Sequence, residues 1–143
     1  MIFFLFQSNA VLSNQVRSFN FIIENKLLLN EQGEHVIHIK LVNKSGKDIE
    51  VYYEDLPWVK RYNYIESIIS DGSSFQLWAP HVFYSADYVL LADEASLEGE
   101  LSFVEGIPPD VKLASDFVIL WRYELILKNG DSLGERFGSI EKI

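Results

Sequence analysis

The stretch DFVILWRYELILKNGDSLGERFGSI, Asp116 to Ile140, decides the fold class. Phe117, Ile119, Trp121, Tyr123, Leu125 and Leu127 recur at every second position, so one face of an extended chain is wholly apolar. The other face begins apolar with Val118 and Leu120 and turns polar from Arg122. That predicts a central strand covered on both sides at one end. Asn129-Gly130 then predicts a two-residue hairpin turn leading into a closing strand, SLGERFGSI.

The same period continues upstream. In SFNFIIENKLLL, Phe19, Phe21 and Ile23 oppose Asn20, Ile22 and Glu24. In HVIHIKLVNK, Ile37, Ile39 and Leu41 oppose His38 and Lys40. DIEVYY sets Ile49, Val51 and Tyr53 against Glu50 and Tyr52, and NKSGKD, Asn43 to Asp48, reads as a hairpin joining these two strands. Beyond Pro57, NYIESIIS is short enough to be a strand or one helical turn. DGSSFQLWA, DYVLLA and LEGELSF read as further strands, and EGIPPD as a loop. Seven to nine short strands without an amphipathic helix predict an antiparallel, all-β sandwich.

VIHIKLVNKSGKDIEVYY, in which a strand ends in an Asn-x-Ser-Gly turn, resembles bacterial immunoglobulin-like domains, and the resemblance spans roughly residues 18–140. It implies an immunoglobulin-like β-sandwich. The domain is expected over residues 18–143. Residues 1–17 read as a tail, an edge strand or a residual signal or tag segment, because MIFFLF is apolar but shorter than a signal core and has no basic leader. The compartment, cytoplasm or periplasm, turns on which of these holds, since export follows only if residues 1–10 end a signal peptide.

Composition narrows the function. The 143 residues are 48% apolar and 23% charged, enough for one cored domain. There is no cysteine, hence no disulfide, thiolate metal site or cysteine nucleophile. A net charge of −9 argues against nucleic acid, whose phosphates need a basic face. No stretch approaches the ~20 apolar residues of a membrane-spanning helix. The charge is unevenly spread: between Arg61 and Lys112 lie nine acids and no lysine or arginine. The remaining twelve acids are matched by twelve basic residues.

Chemistry has few candidates. His35 and His38 are three apart and point to opposite faces of a strand, and His81 has no partner in sequence. Glu98 and Glu100 share a strand face at a spacing that glycosidase carboxylates can adopt, but strand glutamates are ordinarily wet-face residues. DEASLEGELSFVE lacks the D-x-D-x-D-G spacing of a calcium loop, and no nucleophile elbow or phosphate-cradling glycine loop occurs. No catalytic residue, cofactor or metal is therefore assigned.

Recognition remains. The reading is a non-catalytic domain that binds a protein with a basic surface, as an immunity protein or inhibitor does. Its candidate contacts are Tyr62, Tyr64, Asp93, Glu94, Glu98, Glu100 and Glu105. Trp58 is expected in the core, with Tyr62 or Tyr64 at its rim. The alternatives are an exported assembly subunit, forming homo-oligomers through its edge strands, and a carbohydrate- or calcium-binding module using Trp58, Trp78 and the tyrosines.

Overall fold

A computed structural model describes residues 20–60, 64–78 and 87–142. Those residues form antiparallel sheets whose apolar faces meet in one core, as in a β-sandwich. One sheet has the order β1-β2-β7, from Phe21–Leu29, His35–Asn43 and Ser96–Ser102. The other has the order β5-β4-β8-β9, from Ser73–Phe75, Ile65–Ser70, Phe117–Ile126 and Ser132–Lys142. A two-stranded ribbon, β3 (Ile49–Tyr52) with β6 (Tyr88–Leu91), abuts the far end of β8. It does so through a Val51–Leu127 bridge and the Lys128 N–H donating to the Glu50 carbonyl at 2.8 Å.

Alternation along each strand decides what is buried. Ile37, Ile39 and Leu41 on β2 and Leu101 on β7 lie fully inside, as do Ile119 and Leu125 on β8. Phe21 meets Tyr123 edge-on across the sheets, with centroids 6.2 Å apart, and Phe103 meets Phe117 at the same distance. β8 is central, between β4 and β9. NYIESIIS resolves into strand β4 after its first two residues.

Three local expectations need correction. Asn43–Asp48 does not close a hairpin: β2 pairs with β1 and β7, whereas β3 pairs with β6. The chain instead turns a corner from the first sheet into the two-stranded ribbon, and the β6–β7 connection turns beside it. Asn43 causes this. It is fully buried, its Nδ2 donates to the carbonyls of Lys47 (2.7 Å) and Leu91 (3.0 Å), and its Oδ1 accepts from the Ser45 N–H (2.9 Å). Its backbone bonds Ala95 and Glu94 in the β6–β7 connection, so the two connections turn together at one residue.

The β8–β9 connection is a hairpin, but with a three-residue loop. The Leu127 N–H donates to the Asp131 carbonyl and the Gly130 N–H to the Leu127 carbonyl, with Gly130 at φ 93°. A type I turn followed by a left-handed glycine meets the twist of these strands as well as the shorter turn does. Finally, β3 ends at Tyr52. Tyr53 opens a 3-10 turn to Asp55 and is exposed, and the helical turn α1 (Pro57–Lys60) follows.

Trp58 is half-buried rather than central. It lies against β7 at Gly99, where a Cβ would fall on the indole ring. The ring thereby seals the edge of the first sheet.

Candidate functional site

The strand ends where β8 begins form one end of the sandwich, tied together by the His35–Phe117 ring contact at 5.4 Å and by Phe103 on Phe117. Three connections emerge there. The β1–β2 turn is fixed by Asn30, whose Oδ1 accepts from the backbone of Gln32 and Glu34, both at 2.9 Å; it carries Glu31 and Glu34 outward. The β4–β5 turn is Asp71-Gly72, both at positive φ (54° and 78°), a two-residue hairpin that Asp tolerates better than most residues. The β7–β8 connection, Phe103 to Asp116, makes a 3-10 turn at Val104–Gly106 and is anchored where the Ala114 N–H donates to the Ser70 hydroxyl at 2.8 Å.

These connections gather six exposed carboxylates: Glu31, Glu34, Asp71, Glu105, Asp110 and Asp116. Lys112 and Lys142 are the described lysines on the same segments and strand ends. Beside Glu105 stands Trp78, 73% exposed, with its backbone N–H donating to the Gly106 carbonyl at 2.7 Å. Buried Leu77 holds the preceding position in the core. An exposed indole whose backbone is tied to this acidic connection offers an apolar contact in addition to the electrostatic one.

The residues expected from sequence are dispersed. Glu105 alone joins this end. Glu98 and Glu100 lie on the outward face of β7, directly across from Lys40 and His38 of β2, with Glu98 Oε1 3.3 Å from His38 Nε2. Lys40 and His38 in turn face Glu24 and Lys26 of β1. The outer face of this sheet is thus a ladder of opposed charges. Asp93 and Glu94 sit at the opposite end, in the corner. There the Asp93 carboxylate accepts from the Gly46 N–H at 3.0 Å, and Lys44 Nζ donates to Glu94 at 2.5 Å.

Tyr64, expected at the rim, is wholly buried. Its ring stacks on Trp121 (5.4 Å, 9°), and its hydroxyl donates to Asn25 Oδ1 at 2.6 Å. Burial pushes its ionisation well above the usual tyrosine range, and the same cause acts on Tyr123. Tyr62 and His81 lie outside the described residues.

Near the corner, Lys47, Asp48, Glu50 and Lys128 line an open cleft of about 360 Å³. Lys128 Nζ is 3.2 Å from Glu50 and 3.7 Å above the Tyr88 ring, and the bonds to Tyr88 and Glu50 hold its ammonium above the ordinary lysine range. Tyr88 and Leu90 are exposed beside it, a surface that sequence alternation alone did not single out. Among the described residues no group of three His, Asp or Glu gathers as metal ligands do, and no helix is long and apolar enough to cross a membrane.

Comparison with protein-family models, with curated proteins and with solved structures returned no match.

Proposed function

We propose that this chain is a non-catalytic recognition domain that engages a protein with a basic surface through its acidic end, as an inhibitor or immunity protein does. The observation that carries the reading is that Glu31, Glu34, Asp71, Glu105, Asp110 and Asp116 are exposed on three connections at one end of the sandwich, one of which, at Gly106, is hydrogen-bonded to the backbone of exposed Trp78. Several acids elsewhere are paired with bases: Glu66 and Glu135 flank Arg122 at 3.5 and 3.7 Å, and Glu50, Glu94 and Glu98 have the partners given above. Carboxylates collected at one end raise the on-rate for a cationic partner and set its orientation.

The scaffold proposed for this role is an immunoglobulin-like sandwich. What supports it is pairing order. A first, second and seventh strand form one sheet, and the fifth, fourth, eighth and ninth form the other, matching strands A-B-E and C′-C-F-G of that architecture. Such sandwiches present end loops for binding.

The test is capture of a partner from the source cells by the full chain. The comparison is with a variant carrying Glu31→Gln, Glu34→Gln and Asp110→Asn, and with a control carrying Glu24→Gln, Glu98→Gln and Glu100→Gln. The expected result is a basic partner whose affinity falls at least tenfold in the first variant, falls with salt, and changes little in the control. A partner retained equally by both variants, or one that is acidic, overturns the reading.

A further inference from the structure

We propose that two copies of this chain pair through β9, edge to edge about a two-fold axis at Phe137. β9 runs eleven residues, Ser132–Lys142, and among the described residues β8 is the one strand paired to it in a ladder, while β1 approaches it across the core where Arg136 Nη2 donates to the Phe21 carbonyl at 3.3 Å. Its other edge carries its free hydrogen-bonding groups, and the structure shows which they are. The Arg122 N–H is directed to β4, where it donates to the Tyr64 carbonyl at 2.9 Å, so the backbone of Arg122 turns away from β9. Phe137 is its partner on β9. The N–H and C=O of Phe137 therefore point away from β8, and by alternation so do those of Glu135, Ser139 and Glu141. The Glu135 carbonyl already accepts a guanidinium, Arg136 Nη1 at 3.1 Å.

A two-fold pairing keeps each sheet face on one side, so opposed residues must share parity. Centred on Phe137, the overlap uses the regular part of β9 around it, since the register against β8 shifts at Leu133–Gly134, where Gly134 stands at φ 108°. Phe137 then meets its own copy, Glu135 meets Ser139, and Arg136 meets Gly138. No like charges oppose. A shift of the axis to Arg136 sets Arg136 on Arg136, and a shift to Gly138 sets Glu135 on Glu141; each opposes like charges. The central register also covers the side chain that most needs it, since Phe137 is 75% exposed, the highest exposure among the described large apolar residues. A two-fold pair covers the β9 edge of both copies at once, and the sheet then ends at the three-residue strand β5 on each side. The loops proposed for recognition lie at the strand ends, so this pairing stands or falls independently of that reading.

The experiment is the mass of the full chain in solution, by light scattering after size exclusion, at concentrations up to ~100 μM because dimer population is concentration-dependent. The expected result is a dimer that becomes a monomer in Phe137→Lys, which opposes two ammonium groups, and in Ser139→Pro, which removes one outward N–H without touching the bonds to β8. Both substitutions sit on the exposed face or the open edge, and a far-ultraviolet spectrum unchanged from the parent confirms that they fold. Because the chain has no cysteine, Phe137→Cys supplies a single thiol, expected to cross-link to its own copy under mild oxidation. A monomeric parent overturns the proposal, whether the edge stays open or residues 1–19 take it. A dimer that survives Phe137→Lys overturns it as well.

Discussion

Asn43 and Gly99 each decide more of this structure than their size suggests. Asn43 supplies the hydrogen bonds that let two adjacent strands change sheets together. Asn43→Ala leaves the Leu91 carbonyl and the Ser45 N–H without this partner, while the Lys47 carbonyl keeps the Ser45 hydroxyl, and should lower unfolding stability by about 1–3 kcal/mol. Asn43→Asp should cost at least as much, because its carboxylate would face the Lys47 and Leu91 carbonyls without a donor. Urea titration of both variants checks this, and a loss below the error of extrapolation in either would remove Asn43 from its role. At Gly99 the constraint is space. Gly99→Ala sets a methyl on the Trp58 ring and should destabilise by about 1–3 kcal/mol. Trp58→Ala, at a half-buried ring, should cost about 2 kcal/mol, less than a core tryptophan. The two should not add: in the Trp58→Ala background, Gly99→Ala should cost next to nothing, and a double-mutant cycle by urea denaturation measures the difference.

At the scale of elements, β8 was legible because its period of two runs for ten residues. β2 and β7 were legible for the same reason. What periodicity does not encode is which strand lies beside which. HVIHIKLV and IEVY read as neighbours because six turn-like residues, Asn43 to Asp48, separate them, yet the side chain of the first of those residues, Asn43, sends them to different sheets. Tyr64 illustrates a related gap. It stands between Asn63 and Ile65, and nothing local announces that Trp121 and Asn25 will enclose it. That enclosure has a measurable consequence. Burial raises the ionisation of Tyr64 and of Tyr123, and for Tyr123 the nearby Asp55 and Tyr64 charges act in the same direction. A phenol whose folded pKa is raised leaves stability intact below the unfolded value near 10 and removes it as pH climbs beyond that value. Of the seven tyrosines, Tyr64 and Tyr123 should therefore stay protonated in the folded protein at about pH 11. They should ionise only as the sandwich unfolds. Phenolate absorbance and far-ultraviolet circular dichroism followed together should show that coupling, and complete tyrosine ionisation before loss of the β signal would contradict it.

For the whole molecule, the acidic surplus was visible in sequence but its location was not. The window between Arg61 and Lys112 has no basic residue, yet folding lays Glu98 and Glu100 of that window against Lys40 and His38 from outside it. Conversely Glu31, Glu34 and Asp116, from charge-balanced segments, join Asp71, Glu105 and Asp110 at one end. Antiparallel pairing neutralises one acidic strand and concentrates acids from three distant loops. The two groups should respond oppositely to neutralisation. On the sheet face, removing Glu98 and Glu100 deletes cross-strand attractions and should cost a few tenths of a kcal/mol each. At the acidic end, replacing Glu31, Glu34 and Asp110 by their amides relieves repulsion among exposed carboxylates and should raise stability by a similar amount each at low salt. Both effects should shrink above ~0.5 M salt, where the screening length falls below the spacing of most of these charges. Thermal unfolding of the two triple variants at low and high salt reads out the signs. Stabilisation confined to the acidic-end variant would mean that these loops hold a charge arrangement the fold itself disfavours, which is what a surface kept for a cationic partner requires. Equal and opposite results, with the sheet-face variant gaining stability and the end losing it, would assign the carboxylates of the end to the fold instead.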